Sequence, residues 1–131
     1  MFGGIRVNKA DVAWSLYVRE KAGWKCEYYK RDFSMNHQGL SCSHFFGRRA
    51  QATRFCPDNT FAICTGCHIK FHDSPNAHRD WVYKKLGPER FAALVVRNNS
   101  YKKRDDKMAY IVAKRAYLDL CKEKGIEPFK V

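Results

Sequence analysis

The spacing of apolar residues predicts a helix near the start of the chain. Between Lys9 and Ala22 the apolar side chains recur at three- or four-residue intervals, as they do on one face of a helix. Asp11 lies near the beginning of this segment, where an acidic residue is favourable, and Gly23 provides a stop. The pattern therefore predicts a helix over about residues 9–22.

Proline and glycine mark the predicted helices of the C-terminal half. Ser74 and Pro75 form a capping residue followed by a proline at the first helical position, and Gly87 ends that helix. Pro88 begins a shorter helix. A last helix is predicted from about Asp105 to Lys124. Its apolar stripe comprises Ala109, Val112, Ala113, Ala116, Tyr117, Leu120 and Cys121.

The middle of the chain has a different pattern. From Trp24 to Phe61 the apolar runs are short and are separated by glycine, asparagine, serine and aspartate, which is typical of loops and a β-hairpin. Asp58 and Asn59 predict a turn into a helical segment at roughly 61–72. No internal repeat or long linker divides the chain. We therefore expect an α+β fold in a single domain over 1–131, with helices at about 9–22 and 75–125 around a core at about 24–74.

Charge suggests a partner for this domain. The 131 residues contain 25 Lys and Arg against 13 Asp and Glu, a formal net charge of +12, while 45% hydrophobic content is enough for a packed core. A field of this sign suits a polyanion, and nucleic acid is the commonest one. The alternative is a charged surface that binds nothing in particular.

Location is predicted from the apolar runs and the cysteines. No run approaches the length that spans a bilayer, and the first residues lack the pattern of a secretory signal, so we expect an intracellular protein without a membrane partner. Its six cysteines are then thiols or metal ligands rather than a disulfide framework.

The stretch CTGCHIKFH contains two metal-ligand patterns. Cys64 and Cys67 have the spacing of half a structural zinc site. His68 and His72 are four residues apart, so on a helix both imidazoles point the same way and can form one edge of a metal site. Asn59 lies nine residues before His68, and His44 lies fifteen before Asn59.

The string SHFFGRR…RFCPDNTFAICTGCHIKFH resembles the HNH endonuclease superfamily. Its His, Asn, His, His spacing is similar to that of colicin-type nuclease domains, and its CxxCH context is similar to phage and homing HNH enzymes and NinG-type phage recombination proteins. The resemblance covers about residues 26–81. It implies a ββα-metal core (the His-Me finger) with flanking helices, and a protein that acts in the cytoplasm or nucleoid of a bacterial or phage-infected cell.

The resemblance also implies roles for individual residues. His44 would end the first strand as the general base that activates water. Asn59, in the loop after the second strand, would brace the segment carrying His44 or ligate the metal. His68 and His72 would hold one divalent cation, such as Mg, Mn, Ni or Zn. The family often has Asp or His before the base as a further ligand, but this chain has Ser43, which leaves that third metal position to serine, water or Asn59.

The cysteines and arginines complete the candidate site. Many HNH proteins carry a zinc knuckle of two CxxC pairs; here Cys26 could begin the first pair, but Tyr29 stands where the second cysteine should be. Two alternatives are a structural zinc on Cys26, Cys64, Cys67 and one further cysteine such as Cys42 or Cys56, and thiols that pack as small apolar groups. Arginine guanidinium groups pair well with phosphate oxygens. The predicted phosphate-binding residues are Arg48, Arg49 and Arg54.

Two functions compete on these grounds. The resemblance implies a metal-dependent HNH-type DNA endonuclease that hydrolyses phosphodiester bonds, with a homodimer as one route to double-strand cuts. The alternative is a non-catalytic, zinc-stabilised nucleic-acid-binding module with a degenerate HNH site, which Ser43 and Tyr29 favour. A structure-selective nuclease acting on branched DNA is a third reading, suggested by the NinG-type resemblance alone.

Overall fold

The fold is α+β, with a two-stranded hairpin among five α-helices. The computed structural model describes residues 6–131, so the first five residues of the predicted 1–131 domain lie outside the described residues. The elements are α1 Lys9–Lys21, β1 Leu40–His44, β2 Thr60–Cys64, α2 Thr65–Asp73, α3 Pro75–Leu86, α4 Pro88–Asn98 and α5 Asp106–Lys124. Short 3-10 turns at His37–Gly39 and Pro57–Asn59 precede the two strands.

The helix ends follow from local chemistry. Asn8 caps α1, because its side chain accepts a hydrogen bond from the Asp11 amide and its own amide donates to the Asp11 carboxylate. Gly87 separates α3 from α4 at a φ of 84°, and Gly125 ends α5 at a φ of 68°. Both are left-handed conformations that glycine adopts without strain. The predicted ends of α1, α3 and α5 are confirmed to within one residue.

The hairpin positions the candidate site. The strands β1 and β2 run antiparallel, with Leu40 opposite Cys64 and His44 opposite Thr60. The predicted helical segment at 61–72 is therefore wrong over its first part: residues 61–64 belong to β2, and the helix begins at Thr65. Every residue of β2 is buried, so the strand lacks the alternation that would distinguish it from a helix in the sequence.

The core lies where α1 meets the hairpin and α5. Helix α1 makes its most extensive contacts with α5 and also packs on both strands. At the end of α1, the buried Glu20 carboxylate accepts hydrogen bonds from Trp24 Nε1 at 2.9 Å and from Lys124 Nζ at 2.8 Å. In α5 the predicted stripe is buried at Ala113, Tyr117 and Cys121, but Val112, which was predicted to belong to it, is exposed. None of the described helices is both long and apolar enough to cross a membrane.

Candidate functional site

His44 is the last residue of β1, where the resemblance implies the general base. Its Nε2 lies 2.9 Å from the carbonyl oxygen of Arg54. A carbonyl can only accept a hydrogen bond, so Nε2 carries the ring proton and Nδ1 holds the lone pair. The backbone thus fixes the tautomer that a proton acceptor at Nδ1 requires.

Burial also fixes the protonation state of His44. It lowers the pKa of this imidazole to about 4, although the hydrogen bond with the Arg54 carbonyl opposes the shift. Repulsion by the guanidinium groups of Arg48 and Arg54 contributes to this low pKa, while the Asp11 carboxylate opposes it. The ring is therefore neutral at neutral pH.

Asn59 braces the loop that follows His44. Its side-chain amide donates to the carbonyls of Phe46 at 2.9 Å and Thr53 at 3.0 Å, and its Oδ1 accepts from the Phe46 amide at 2.8 Å. The side chain is fully buried. This bracing is one of the two roles that the resemblance implies. The expected position is wrong, however, because Asn59 directly precedes β2 instead of following it.

Helix α2 carries the two candidate metal histidines. His68, in the first half of α2, is half-buried, and His72 is exposed one turn later. The predicted i and i+4 arrangement is therefore present. Burial lowers the pKa of His68, and the nearby charge of His72 lowers it further. Ser41 Oγ lies 3.5 Å from His68 Nδ1, at the limit of hydrogen-bond distance.

One cavity is shared by the candidate general base, His44, and the candidate metal ligand His68. It has a volume of about 590 Å³ and is lined by His44 and His68, by Arg48 and Arg49, and by residues of α1. The lining from α1 and the turn before it comprises Val7, Asp11, Val12, Trp14, Ser15 and Arg19. The hairpin and its loop contribute Ser41, Cys42 and Gly47 as well. His72 is not part of this lining.

Two predicted site residues are placed elsewhere. Ser43 is 3% exposed and is not among the residues that line the cavity, so its position does not support a third metal ligand. Arg54 is 1% exposed, and its Nε donates to Asp11 Oδ1 at 3.0 Å while its Nη2 pairs with Asp11 Oδ2. The prediction that Arg54 binds phosphate is therefore wrong. Its guanidinium group is already paired with Asp11 in a buried ion pair that joins α1 to the loop before β2.

Three cysteines form a separate cluster behind α2. The sulfurs of Cys26, Cys64 and Cys67 lie within 4.8 Å of one another, and Cys26 Sγ and Cys67 Sγ are 3.8 Å apart. Sulfurs bound at about 2.3 Å around a tetrahedral zinc are about 3.8 Å apart. This buried group therefore could bind a metal ion.

Backbone amides favour a thiolate in this cluster. Burial alone would raise the pKa of Cys26, but the amides of Tyr29, Cys64 and Tyr28 donate to its sulfur and lower the pKa overall. Burial and the neighbouring thiols raise the pKa of Cys67 instead. The pKa of Cys26 is thus lowered while that of Cys67 is raised. A bound cation would hold all three sulfurs deprotonated.

The cluster has three members within residues 6–131. Cys42, which was expected as a candidate fourth ligand, lies opposite Ala62 in the hairpin and lines the cavity, so that expectation is wrong. Tyr29, which stands where the second cysteine of a first CxxC pair should be, exposes 60% of its surface and is not part of the cluster. Across the described part of the chain, no other group of three or more His, Cys, Asp or Glu ligand atoms lies close enough to hold a metal ion.

Two participants were not identified from the sequence. Arg19 lines the cavity from α1, and Asp11, identified only as a helix-start residue, neutralises Arg54. The contacts that draw them to the site, from Arg19 to the carbonyls of His37 and Leu40 and from Asp11 to Arg54, span 18 to 43 residues along the chain, and no local pattern links such positions. Comparison with known proteins adds no assignment, because no protein-family model, curated protein or solved structure matches this chain.

Proposed function

We propose that this chain is a metal-dependent HNH-type endonuclease that hydrolyses DNA phosphodiester bonds. The observation that carries the proposal is the setting of His44: a neutral imidazole with its proton held on Nε2 by the Arg54 carbonyl, in a cavity shared with His68. A net charge of +12 supports a polyanionic substrate.

In this mechanism His44 moves the proton. Its Nδ1 accepts a proton from a water molecule as the water oxygen attacks phosphorus. The bond from phosphorus to the 3′ oxygen breaks, the 3′ oxygen takes a proton from solvent, and the His44 imidazolium releases its proton to solvent. Asn59 keeps the loop after β1 in place, and the Arg54 carbonyl stabilises the imidazolium because it already accepts from Nε2. Arg48 and Arg49 are positioned at the cavity to bind phosphate oxygens.

The histidines of α2 fit one side of a cation site. Both imidazoles lie on one helix face, and His68 also lines the cavity. A divalent cation bound there would offset the negative charge that develops on the phosphate and on the leaving oxygen. Two protein ligands leave the remaining positions to water and substrate oxygens.

The second metal in the proposal is a structural zinc. Its ligands are the thiolates of Cys26, Cys64 and Cys67, whose spacing suits tetrahedral zinc. A bound ion would join the turn at Cys26 to the first residues of α2 and so fix the helix that carries His68 and His72.

Plasmid cleavage tests the proposal. Supercoiled DNA is incubated with the protein and added Mg²⁺, Mn²⁺, Ni²⁺ or Zn²⁺, and nicked and linear products are followed on gels. We expect cleavage by the wild type, a loss of at least about 100-fold for His44→Ala because general acid–base catalysis contributes that much, and a higher metal requirement for His68→Ala and His72→Ala.

His37→Gln is the matched control. His37 stacks on Trp24 at 3.9 Å between ring centroids and is not part of the cavity lining, so its loss should leave cleavage unchanged. Thermal melts of each variant separate loss of chemistry from loss of fold. Wild-type protein that binds DNA but cuts it with none of the four metals would refute the endonuclease.

A non-catalytic, zinc-stabilised nucleic-acid-binding module is the second candidate. It is favoured by one observation: within residues 6–131 the cysteine trio forms a three-ligand group, whereas the histidines form none. This function predicts tight zinc and DNA binding that His44→Ala leaves intact, with no cleavage under any of the four metals.

A further inference from the structure

Arg19 places a guanidinium group on the cavity from outside the HNH-like segment. It belongs to α1, whereas His44 and His68 belong to the hairpin and α2, yet all three line the same cavity. The resemblance over residues 26–81 does not include this arginine.

The protein backbone holds this guanidinium in a fixed orientation. Nε donates to the Ser15 carbonyl at 3.2 Å, and Nη1 donates to the carbonyls of Leu40 at 3.3 Å and His37 at 3.5 Å. The group also lies over the Trp24 ring, 4.8 Å from its centroid. Because the rotamer is already set, binding a ligand costs little side-chain entropy.

Half-buried Arg19 lacks the carboxylate that accompanies the buried Arg54. Arg54 pairs with Asp11, but Arg19 forms no ion pair within residues 6–131, and its Nη2 has no acceptor among those residues. A half-buried charge without a counterion is costly, and burial accordingly lowers the pKa of Arg19. An anion in the cavity would remove this cost.

We infer that Arg19 binds a backbone phosphate of the nucleic acid that flanks the scissile phosphate. Leu40, whose carbonyl anchors Arg19, lies four residue steps before His44 in β1. At about 3.3 Å per residue the two anchor points are about 13 Å apart, too far for both side chains to act on one phosphate. Arg19 thereby sets where the strand lies relative to His44. This inference rests on the proposed function, since it assigns a neighbouring part of the same substrate.

The salt dependence of DNA binding tests the contact. A short fluorescent DNA duplex is titrated by anisotropy at several salt concentrations without added divalent cation, which keeps the strands intact. Each phosphate neutralised contributes about 0.9 to the slope of log affinity against log salt. We expect Arg19→Gln to lower that slope by about 0.9 and Arg19→Lys, which keeps the charge, to retain it.

Arg115→Gln is the matched control. It removes the same charge from α5, where Arg115 is 78% exposed and pairs with Asp119 one turn away. Its slope should match the wild type. If Arg19 only held the backbone in place, its variants would have a changed melting temperature and an unchanged slope. An unchanged slope in Arg19→Gln would therefore overturn the inference. Equal slope losses in Arg19→Gln and Arg115→Gln would overturn it as well.

A second measurement uses the wild-type protein alone, so its result does not depend on whether the variants fold. Phenylglyoxal modifies accessible arginine side chains, and peptide mass spectrometry reports the extent at each position. DNA should protect Arg19 more strongly than Arg115; equal modification of Arg19 with and without DNA would overturn the inference.

The same experiments separate the two proposals. Protection of Arg19 and a lower slope without cleavage under any metal would refute the endonuclease and support the phosphate contact. Cleavage by the wild type together with an unchanged slope in Arg19→Gln would support the endonuclease and refute the phosphate contact of Arg19. Absence of DNA binding would refute both.

Discussion

At the scale of single residues, the pair of Asp11 and Arg54 has the largest expected effect on stability. Both side chains are nearly inaccessible, and the pair joins α1 to the loop before β2. Removing one partner of a buried ion pair leaves the other charge unpaired. We therefore expect Asp11→Asn to lower the free energy of unfolding by about 3–5 kcal/mol in urea titrations at neutral pH.

An exposed pair in the same protein is the control. Asp58 and Arg90 are 30% and 61% exposed, so Asp58→Asn should cost less than about 1 kcal/mol. Equal losses in the two variants would show that burial does not decide the strength of these pairs.

The stability contributed by Asp11 should also depend on pH. Burial opposes ionisation, but the hydrogen bonds from Arg54 and the Asn8 amide lower the pKa of Asp11 below its ordinary value. A lowered folded-state pKa stabilises the protein above the unfolded-state pKa, about 3.9, and this contribution is lost as pH falls through the folded-state value. The difference between wild type and Asp11→Asn should therefore shrink below about pH 4, and a difference that grows in acid would contradict this assignment.

At the scale of elements, the turn after Cys26 contains a strained residue. Lys30 has a φ of 60°, a left-handed conformation that disfavours any residue with a Cβ, while its amide donates to the Cys26 carbonyl at 2.7 Å. Glycine would relieve the strain and keep this hydrogen bond. We expect Lys30→Gly to raise the free energy of unfolding by about 0.5–1 kcal/mol, after the entropic cost of glycine is deducted.

Lys25→Gly controls for glycine as such. Lys25 is exposed and does not have a positive φ, so this change should destabilise the protein. If both variants lose stability, the turn does not store the strain that its backbone angle indicates.

The cysteine cluster gives a second prediction for this turn and α2. Cobalt(II) in place of zinc should show sulfur-to-metal charge-transfer bands of three thiolates, and Cys67→Ser should weaken both the bands and metal affinity. Cys42→Ser, outside the cluster, should change neither. A four-sulfur spectrum that Cys42→Ser converts to a three-sulfur one would refute the trio as the complete thiolate set.

Sequence alone predicted the helix ends well and the second strand poorly. Gly87, Pro88 and Gly125 act through backbone conformation, which is local and therefore readable from the chain. β2 is buried on both faces, so its continuous apolar run resembled a helix. Within the site, motif spacing placed His44 at the end of the first strand, where it lies, but it placed Asn59 after the second strand instead of before it. It also placed Arg54 on phosphate, because its partner Asp11 is 43 residues away.

At the scale of the whole molecule, a lysine near the end of the last helix pairs with a buried glutamate near the end of the first. Lys124 Nζ lies 2.6 Å from the Glu20 carbonyl and 2.8 Å from its carboxylate. Lys124→Met would leave the buried Glu20 carboxylate without its cation. Because α1 also packs on the hairpin, we expect a loss of about 1–3 kcal/mol that is the same by tryptophan fluorescence and by far-UV circular dichroism.

Lys122→Met provides the comparison on the same helix. Lys122 is exposed, so its replacement should change stability by less than about 0.5 kcal/mol. Separate transitions for the two probes in Lys124→Met would show that α5 unfolds independently of the hairpin.

Cys67 and His68 are neighbours in the chain but serve different sides of α2: one sulfur is buried in the cysteine cluster, and the next imidazole lines the cavity. Successive residues of an α-helix are rotated by about 100°. The angular phase of a single helix therefore fixes the position of one candidate metal site relative to the other. A one-residue insertion between Cys67 and His68 would rotate both histidines by about 100° relative to the cysteine cluster without removing any ligand, so the number of residues between the two candidate sites is constrained as well as the ligands themselves.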